Sequence, residues 1–372
     1  MHKALQVAAR AMYLSAPNPR VGCIITAADG SVLGQGHTQG AGGPHAEIMA
    51  LRDAAERGHN SLQQATAWVT LEPCAHQGRT GPCCDALSAA GIGRVVAAMI
   101  DPNPKVAGLG MARLAAAGVQ TQVLPPHSAL AHQARELNIG FFSRMERGRP
   151  WLRMKVASSL DGQTGLQNGH SQWITGPEAR SDGHAWRARA CAVLTGIGTI
   201  LEDDPQLNVR GHNTPRQPHL VVVDSRLDLP LTAQLLSPQA TAEPARQIWL
   251  YHATDPQDQQ HRPKRAALTA RGVQLIEMPG PGGKVNLSGM LSDLARREVN
   301  ELHVEAGHKL NGSFIREGLV DEYLVYMAPR LIGPGQGMAM LPALAALHDS
   351  VQLSFHAVDR IGPDLRLLLR RA

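Results

Sequence analysis

The chain is poor in aromatic residues and cysteines, and it lacks a long apolar segment. Phe, Trp and Tyr make up 3% of its 372 residues, which disfavours a surface that stacks single-stranded nucleic acid. No run of eighteen apolar residues occurs, so we expect no membrane-spanning helix. Residues 1–6 lack the apolar core of a signal peptide. Five cysteines are an odd number, which argues against a disulfide framework and for a reducing, cytoplasmic location.

The length and composition favour a globular chain of two domains. A hydrophobic content of 43% against 18% charged residues is a globular balance, and 372 residues suffice for two ordinary domains. The net charge of +5 is compatible with a nucleic-acid surface or with an enzyme that binds phosphorylated small molecules. A scattered excess of surface arginine is the simpler alternative.

Strand-like and helix-like patterns alternate along the first 145 residues. Residues 21–26, 67–71 and 95–100 read as strands, and residues 47–55 read as a helix that would carry His45 and Glu47 in its first turn. This alternation predicts an α/β fold with a mostly parallel sheet. Sites in such sheets gather where strands end and helices begin.

A charged segment that ends in proline, residues 144–150, predicts a boundary between two domains, 1–146 and 147–372. The strand pattern restarts at Trp151 after this segment. Further strands are expected at residues 151–157, 192–195, 220–223, 248–251, 301–304 and 322–326.

Four residues of the first domain form a pattern with metal chemistry. His45 is followed by Glu47, and a strand-like run then leads to Pro73-Cys74 and Cys83. One imidazole and two thiolates leave the fourth position of a tetrahedral zinc open for water, as in catalytic sites. Glu47 would not bind the metal and could carry a proton to a leaving amine. His-x-Glu followed by Pro-Cys-x-x-Cys is the pattern of the zinc deaminases.

The cysteine spacing departs from that pattern. Eight residues, 75–82, separate Cys74 from the next cysteine, where two are usual, and this cysteine is doubled as Cys83-Cys84. We favour Cys83 as the third ligand, because Pro82-Cys83 opens a helix-like run and a helix N-terminus favours a thiolate. Cys84 would then be a core residue, or alternatively the fourth ligand of a structural site.

Three glycine turns in the second domain indicate a nucleotide or phosphate site. Each follows a strand, at residues 155–162, 195–205 and 304–313, and such turns present backbone N–H groups to phosphate. A single turn of this kind usually serves chain reversal. Three of them, with Arg187 and Arg210 nearby in the sequence, favour binding. No Gly-x-Gly-x-x-Gly fingerprint follows a strand, which disfavours a Rossmann domain.

Over nearly its whole length the chain resembles the bifunctional riboflavin-biosynthesis deaminase/reductase family. The resemblance rests on residues 17–23 (PNPRVGC), 44–47 (PHAE), 70–80 (TLEPCAHQGRT), 101–104 (DPNP), 159–162 (SLDG), 171–175 (SQWIT) and 305–307 (EAG). It implies a cytidine-deaminase-like α/β/α N-terminal domain and a dihydrofolate-reductase-like α/β C-terminal domain. The long loop between the cysteines is similar to the loop of that family.

The resemblance implies two reactions. Zinc-dependent deamination of 2,5-diamino-6-(5-phosphoribosylamino)pyrimidin-4-one would come first. NADPH-dependent reduction of the ribosyl group of the deaminated uracil to ribityl would follow. A nucleic-acid adenosine or cytidine deaminase with an accessory domain is the alternative, and a non-catalytic nucleotide-binding module with a structural zinc is a third reading that an intact Glu47 opposes.

The resemblance also assigns residues. It makes His45, Cys74 and Cys83 the zinc ligands and Glu47 the proton shuttle. The expected substrate contacts are His76, Arg79 and Asn103 in the deaminase and Ser171, Arg187, Leu207, Arg210 and Glu305 in the reductase. The expected cofactor contacts are Ala157, Trp173, Thr199, Asp203, Ser225, Gly307, His308, Lys309, Leu310, Asn311, Gly312 and Ser313. Trp173 is alternatively a core residue. We expect phosphoribosylated pyrimidines as partners, no nucleic acid or membrane, and a homo-oligomer.

Overall fold

A computed structural model describes residues 1–59, 61–75, 81–104, 106–237, 246–255 and 257–372. The chain divides by packing into two compact units, Met1–Arg149 and Pro150–Ala372. These units are distinguished by their packing and not by their function. The boundary between the functional domains, predicted between residues 146 and 147, therefore stays a prediction. Within the described ranges, no helix combines the length and apolarity that crossing a membrane requires.

The first unit contains a five-stranded sheet with helices. The strands are β1 Gly22–Thr26, β2 Val32–His37, β3 Thr66–Val69, β4 Arg94–Ala97 and β5 Gln120–Val123. The helices are α1 His2–Ala9, α2 Ala46–Glu56, α3 Cys83–Ala89, α4 Leu109–Ala116, α5 Ala129–Leu137 and α6 Ile139–Arg147. The sheet order is β2-β1-β3-β4-β5; β1 is antiparallel to both neighbours, and β3, β4 and β5 are parallel.

Small residues bring α2 close to the sheet. A Cβ atom at Gly34 would lie 2.3 Å from the carbonyl oxygen of Ala50, and one at Gly36 would lie 2.4 Å from that of Ala46. Both glycines belong to β2, so any side chain there would push the helix away. The position of the α2 N-terminus, which follows His45, is therefore fixed by backbone contact with β2.

The second unit contains a nine-stranded sheet and a two-stranded sheet. The strands are β6 Trp151–Ser159, β7 Gln163–Leu166, β8 Ala192–Gly196, β9 His219–Val223, β10 Ile248–His252, β11 Val273–Glu277, β12 Glu301–Val304, β13 Glu322–Ala328, β14 Gly335–Gly337, β15 Leu353–Ile361 and β16 Asp364–Arg371. The helices are α7 Pro177–Arg189, α8 Ile197–Asp203, α9 Arg262–Ala270, α10 Leu287–Arg296 and α11 His308–Arg316. The large sheet has the order β11-β10-β9-β8-β12-β6-β13-β16-β15, and β7 pairs with β14.

The large sheet is parallel from β11 to β13 and antiparallel across β13, β16 and β15. Its central strands are continuous apolar runs such as residues 220–223, which are all buried, as expected for strands covered on both faces. The predicted α/β class is confirmed. The mostly parallel sheet predicted for the first 145 residues is wrong, because two of the four strand pairings there are antiparallel; the sheet of the second unit is the mostly parallel one. The antiparallel strands at the sheet edges were not predicted.

A buried ionic cluster joins the amino ends of three neighbouring strands. Arg153 of β6 is 1% exposed. Its Nη1 donates to Glu301 Oε2 of β12 at 2.9 Å, and its Nε donates to Glu322 Oε1 of β13. Its guanidinium also lies 4.3 Å from the centroid of the Trp186 ring. Arg189 also pairs with Glu301 at 2.7 Å and Arg370 with Glu322 at 2.8 Å, so both carboxylates have two arginine partners.

Candidate active sites

The structure brings the three predicted zinc ligands of the first unit together. His45 immediately precedes α2, Cys74 follows β3, and Cys83 is the first residue of α3. The Nδ1 atom of His45 lies 3.5 Å from Cys74 Sγ and 3.4 Å from Cys83 Sγ. All three donor atoms lie within 4.8 Å of one another. The expectation that His45 lies in the first turn of the helix is wrong by one residue, since its backbone is extended.

The donor set suits zinc in both chemistry and spacing. Zinc binds imidazole nitrogen and thiolate sulfur at about 2.0–2.1 and 2.3 Å, which separates a nitrogen from a sulfur ligand by about 3.6 Å in a tetrahedron. The two nitrogen–sulfur distances, 3.5 and 3.4 Å, are close to this edge length. Within the described ranges, no other His, Cys, Asp or Glu residues form such a group of three.

The cysteine pair at the start of α3 divides into two environments. The backbone N–H of Cys83 donates to Cys74 Sγ at 3.4 Å. A hydrogen bond from the Cys83 thiol holds the pKa of Cys74 well below its ordinary value. Cys84 instead packs in the hydrophobic core, with its Sγ 3.7 Å from Asp85 Oδ1. Burial raises the pKa of Cys84 to about 11. Its thiol is therefore outside the donor cluster and protonated at neutral pH.

Glu47 lies in the first turn of α2 and is 3% exposed. Burial, reinforced by the charge of the Cys74 thiolate, raises the pKa of Glu47 to about 7. A carboxyl with this pKa exists in both protonation states near neutrality, which suits a group that takes up and releases a proton.

The predicted substrate contacts of the first unit are placed in part. Asn103 follows β4, and its backbone N–H donates to Asp101 Oδ1 at 2.8 Å. Because β3 and β4 are parallel, Asn103 and Cys74 leave the sheet at the same edge. His76 and Arg79 lie outside the described residues.

A cavity of about 460 Å³ opens in the second unit. It lies near the carboxyl ends of β6, β8 and β12, at the start of α11. Twelve of the predicted residues line it: Ala157, Ser171, Trp173, Arg187, Thr199, Asp203, Leu207, Arg210, Glu305, Gly307, His308 and Asn311.

Five predicted cofactor residues are not in the wall of this cavity. Four of them, Lys309, Leu310, Gly312 and Ser313, belong to α11. A Cβ atom at Gly312 would lie 2.1 Å from the carbonyl oxygen of Met340, so this position packs against backbone. Ser225 follows β9, and its Oγ accepts a hydrogen bond from the N–H of Val285 at 3.3 Å.

Arg187 and Glu305 form a two-bond ion pair in the cavity wall. Arg187 Nη2 donates to Glu305 Oε2 at 2.8 Å, and its Nε donates to Oε1. The remaining Nη1 donates to the carbonyl of Asn208 at 3.0 Å. Although burial opposes it, the guanidinium holds the pKa of Glu305 well below its usual range. Arg187 is therefore engaged within the protein, whereas Arg210 is largely exposed.

Trp173 is 62% exposed. The guanidinium of Arg180 lies 4.5 Å from the centroid of its ring, a distance typical of a cation–π contact. The alternative reading of Trp173 as a core residue is therefore wrong.

Lys155 and His184 also line the cavity and were not predicted as site residues. Lys155 precedes Ala157 by two positions on β6, so both lie on the same face of the sheet. His184 precedes Arg187 by three positions on α7, a spacing that places both on one helix face. Burial, followed by the charges of Arg187 and Arg210, lowers the pKa of His184 to about 4. Strand and helix periodicity could have identified both residues.

Family models match both units. The RibD C-terminal domain matches residues 150–367, and the cytidine and deoxycytidylate deaminase zinc-binding region matches residues 1–99. The riboflavin biosynthesis protein RibD of Escherichia coli (strain K12) is 40% identical, over 99% of this chain and 98% of its own length. That of Aquifex aeolicus (strain VF5) is 36% identical over 100% of this chain and 97% of its own.

Solved structures match the whole chain as well. Acinetobacter baumannii RibD superimposes with a TM-score of 0.86 at 39% identity, covering 100% of this chain and 97% of that one. A diaminohydroxyphosphoribosylaminopyrimidine deaminase/5-amino-6-(5-phosphoribosylamino)uracil reductase from Thermotoga maritima does so with a TM-score of 0.83 at 26% identity, over 100% and 97%.

Proposed function

The chain belongs to the RibD family of bifunctional deaminase/reductases in riboflavin biosynthesis, and on that premise we propose how its residues divide the two reactions. The observation that carries the assignment is the group of His45, Cys74 and Cys83 within 4.8 Å, in the unit that matches a zinc-binding deaminase region. The nucleotide-dependent reduction belongs to the second unit, which matches the RibD C-terminal domain.

In the first unit, His45, Cys74 and Cys83 would hold zinc, which when bound would polarise a water and lower its pKa. Glu47 would accept a proton from the water whose oxygen bonds to the ring carbon, and would deliver it to the amino nitrogen, whose bond to that carbon breaks as ammonia leaves. Its burial beside the ligands supports this role, because burial raises the pKa of the carboxyl to about 7, where it can take up and release a proton. His76, Arg79 and Asn103 bind the phosphoribosylated diaminopyrimidinone.

In the second unit, NADPH would supply the hydride for reduction of the ribosyl group of the deaminated uracil to ribityl. The cofactor residues are Ala157, Trp173, Thr199, Asp203, Ser225 and the segment 307–313. Ser171, Leu207, Arg210 and Glu305 hold the substrate. The exposed guanidinium of Arg210 suits the substrate phosphate.

We propose that Arg187 also acts through Glu305, beside the substrate contact that its sequence position predicts. Its Nε and both terminal nitrogens donate to Glu305 and Asn208, so it fixes the carboxylate of Glu305. The fixed carboxylate of Glu305 can then accept hydrogen bonds from ribose hydroxyl groups.

Separate assays of the two steps test this proposal. The purified chain is incubated with the phosphoribosylated diaminopyrimidinone, and ammonia release and NADPH oxidation are followed independently. We expect ammonia without NADPH, and NADPH oxidation only after deamination. Removal of zinc with a chelator should stop ammonia release and leave reduction of pre-deaminated substrate intact. NADPH oxidation that precedes ammonia release would contradict the proposed order.

A nucleic-acid deaminase is not favoured. The two-residue cysteine spacing of the general pattern is absent, and full-length relatives are named as riboflavin biosynthesis proteins. The absence of a nucleic-acid or membrane partner and the cytoplasmic location stay predictions.

We also propose a homo-oligomer that buries the edge strand β15. Phe355 and Val358 of this strand are 66% and 55% exposed, and an open apolar sheet edge favours pairing with another chain. Light scattering of the purified protein should give a multiple of the 39.8 kDa chain mass. The double variant Phe355→Ser/Val358→Ser should weaken assembly. A monomer at micromolar concentration would contradict the proposal.

A further inference from the structure

Glu72 binds four backbone N–H groups with one carboxylate. Its Oε1 accepts from Gly110 at 2.9 Å and Met111 at 3.1 Å, and its Oε2 accepts from Gly108 at 2.8 Å and Asp101 at 3.1 Å. The residue is 4% exposed. An ionised carboxylate offers about four acceptor sites, so the chain itself uses the capacity of this side chain.

The four donors come from both ends of one segment. Asp101 follows β4, whereas Gly108, Gly110 and Met111 lie at the beginning of α4. A negative charge at this position is favoured by the positive end of the helix dipole. The carboxylate therefore ties the beginning of the loop between β4 and α4, at Asp101, to the beginning of α4.

The same loop packs directly on the turn that carries a proposed zinc ligand. A Cβ atom at Gly110 would lie 1.9 Å from the carbonyl oxygen of Pro73. The backbone N–H of Glu72 donates to the carbonyl of Met99 at 2.9 Å. Pro73 and Cys74 follow Glu72 directly in the sequence, so the turn and the loop cannot move independently.

Asn103 lies inside that loop. Its backbone N–H is held by Asp101 Oδ1 at 2.8 Å, and the backbone N–H of Asp101 is held by Glu72. A chain of two hydrogen bonds thus connects the carboxylate beside the zinc-ligand turn to the residue that we assign to substrate binding. Both bonds use backbone donors, which fixes the backbone at Asp101 and Asn103.

We propose that Glu72 is a positioning residue for deamination, which sets the place of Asn103 relative to the zinc-ligand turn. This inference rests on the proposed deaminase role of the first unit. Glu72 touches neither metal nor substrate, because its oxygens are occupied by the four N–H groups. Its contribution is made through substrate binding by Asn103.

The substitution Glu72→Gln tests the proposal, because it turns an NH2 group toward two of the four N–H donors. We expect the KM for the diaminopyrimidinone to rise about tenfold or more, with kcat reduced less, since binding shared by ground and transition states appears in KM. Zinc content and the rate of NADPH-dependent reduction of pre-deaminated substrate should equal those of the wild-type chain. Asp53→Asn is the matched control, because Asp53 Oδ2 also accepts a backbone N–H, from Gln35 at 2.8 Å, and its KM should not change.

A double-mutant cycle with Asn103→Ala separates positioning from general damage. Residues that act together give non-additive effects, so Glu72→Gln should raise KM by less than about threefold in the Asn103→Ala background. Full additivity, a KM equal to wild type, a fall in kcat alone, or zinc loss that parallels the loss of activity would each overturn the inference.

Hydrogen exchange in the wild-type protein provides a test that needs no variant. The amides of Asp101, Gly108, Gly110 and Met111 should exchange as slowly as those of neighbouring β4. Exchange at the rate of an open loop would overturn the inference even if Glu72→Gln does not fold. Failure of the wild-type chain to release ammonia would overturn the proposed function and this inference together, whereas a normal wild-type rate with an unaffected variant would overturn the inference alone.

Discussion

The two sites of this chain are built in opposite ways. In the first unit, three short motifs place a nitrogen and two sulfur atoms within 4.8 Å of one another, beside a buried carboxyl. In the second unit, residues from position 155 to position 338 surround a cavity of about 460 Å³. The first site depends on a few atoms with fixed chemistry, and the second depends on the shape and charge of a wall. We therefore expect single substitutions to abolish activity in the first unit and to reduce it by varying amounts in the second.

The largest expected effect is the loss of zinc from Cys83→Ser. A serine hydroxyl is a poor substitute for a thiolate ligand, so zinc content and ammonia release should both fall to background. Cys84→Ser is the matched variant and should retain zinc, because the Cys84 thiol packs in the core. Metal analysis of both purified proteins checks this. Equal loss of zinc from both variants would favour a four-ligand structural site. The first unit would then have no catalytic metal to set against the cavity of the second unit.

The next effect is that of Glu47→Gln. An amide cannot take up and release the proton, so ammonia release should fall by about 10²–10⁴-fold. Zinc should remain bound, because Glu47 is not one of the ligands. Reduction of pre-deaminated substrate serves as the internal control and should be unchanged. Deamination at nearly the wild-type rate, or zinc loss in this variant, would show that the role is wrong.

In the second unit, Arg187→Ala should have the largest effect. Removing one partner of a buried ion pair costs about 3–5 kcal/mol, and at 15% and 14% exposure of the two side chains we expect the lower end of this range. The urea midpoint should fall, measured by tryptophan fluorescence, to which four of the five tryptophans contribute from the second unit. The kcat of reduction should fall as well, since Glu305 loses its support. An unchanged kcat with a raised KM would instead indicate that Arg187 binds the substrate phosphate directly.

Arg210→Ala should have a smaller effect, confined to substrate binding. The loss of a charged hydrogen bond costs about 1.5–3 kcal/mol, which corresponds to a rise in KM of roughly 10–150-fold. Stability and kcat should stay near wild type, because the side chain is largely exposed and the phosphate does not react. Steady-state kinetics with varied deaminated substrate check this. A KM that does not change would remove Arg210 from the phosphate site.

The smallest expected effect is that of separating the units. A fragment starting at Arg147 should bind NADPH and reduce the deaminated substrate without zinc, at nearly the rate of the whole chain, because its strands form their own sheet. Titration of NADPH followed by fluorescence gives its affinity. A folded fragment without binding or activity would show that the second site needs the first unit.

The sequence predicted the chemistry of the first site better than the shape of the second. The grouping of His45, Cys74 and Cys83 could be predicted because a zinc site requires particular residue types at short spacings. The pairing of Arg187 with Glu305 could not be predicted, since it depends on the order in which distant strands associate. Spacing alone suggested that Arg187 binds the substrate phosphate, which stays a prediction beside this internal ion pair.

The fold class was predictable for a related reason. Continuous apolar runs such as those of β8 and β9 identify buried parallel strands. The exposed edge strand β15 was missed because its residues alternate weakly and only pairing with β16 makes them a strand. Hydrophobic periodicity left parts of the fold unassigned. The confirmed family resemblance supplied the fold of these parts, because it covers the whole chain.

The ionic cluster around Arg153 has a consequence for how the second unit assembles. Side chains alternate between the two faces of a sheet, so a slip of β6 by one residue against β12 and β13 would separate Arg153 from Glu301 and Glu322. Such a slip would leave the charge of Arg153 unpaired inside the protein, at a cost far above that of misaligned apolar side chains, whereas Glu301 and Glu322 would keep Arg189 and Arg370 as partners. The cluster thus selects a single register for the strands that carry Lys155, Ala157 and Glu305 to the cavity. The register that is set at the amino ends of the strands therefore determines which side chains line the cavity at their carboxyl ends.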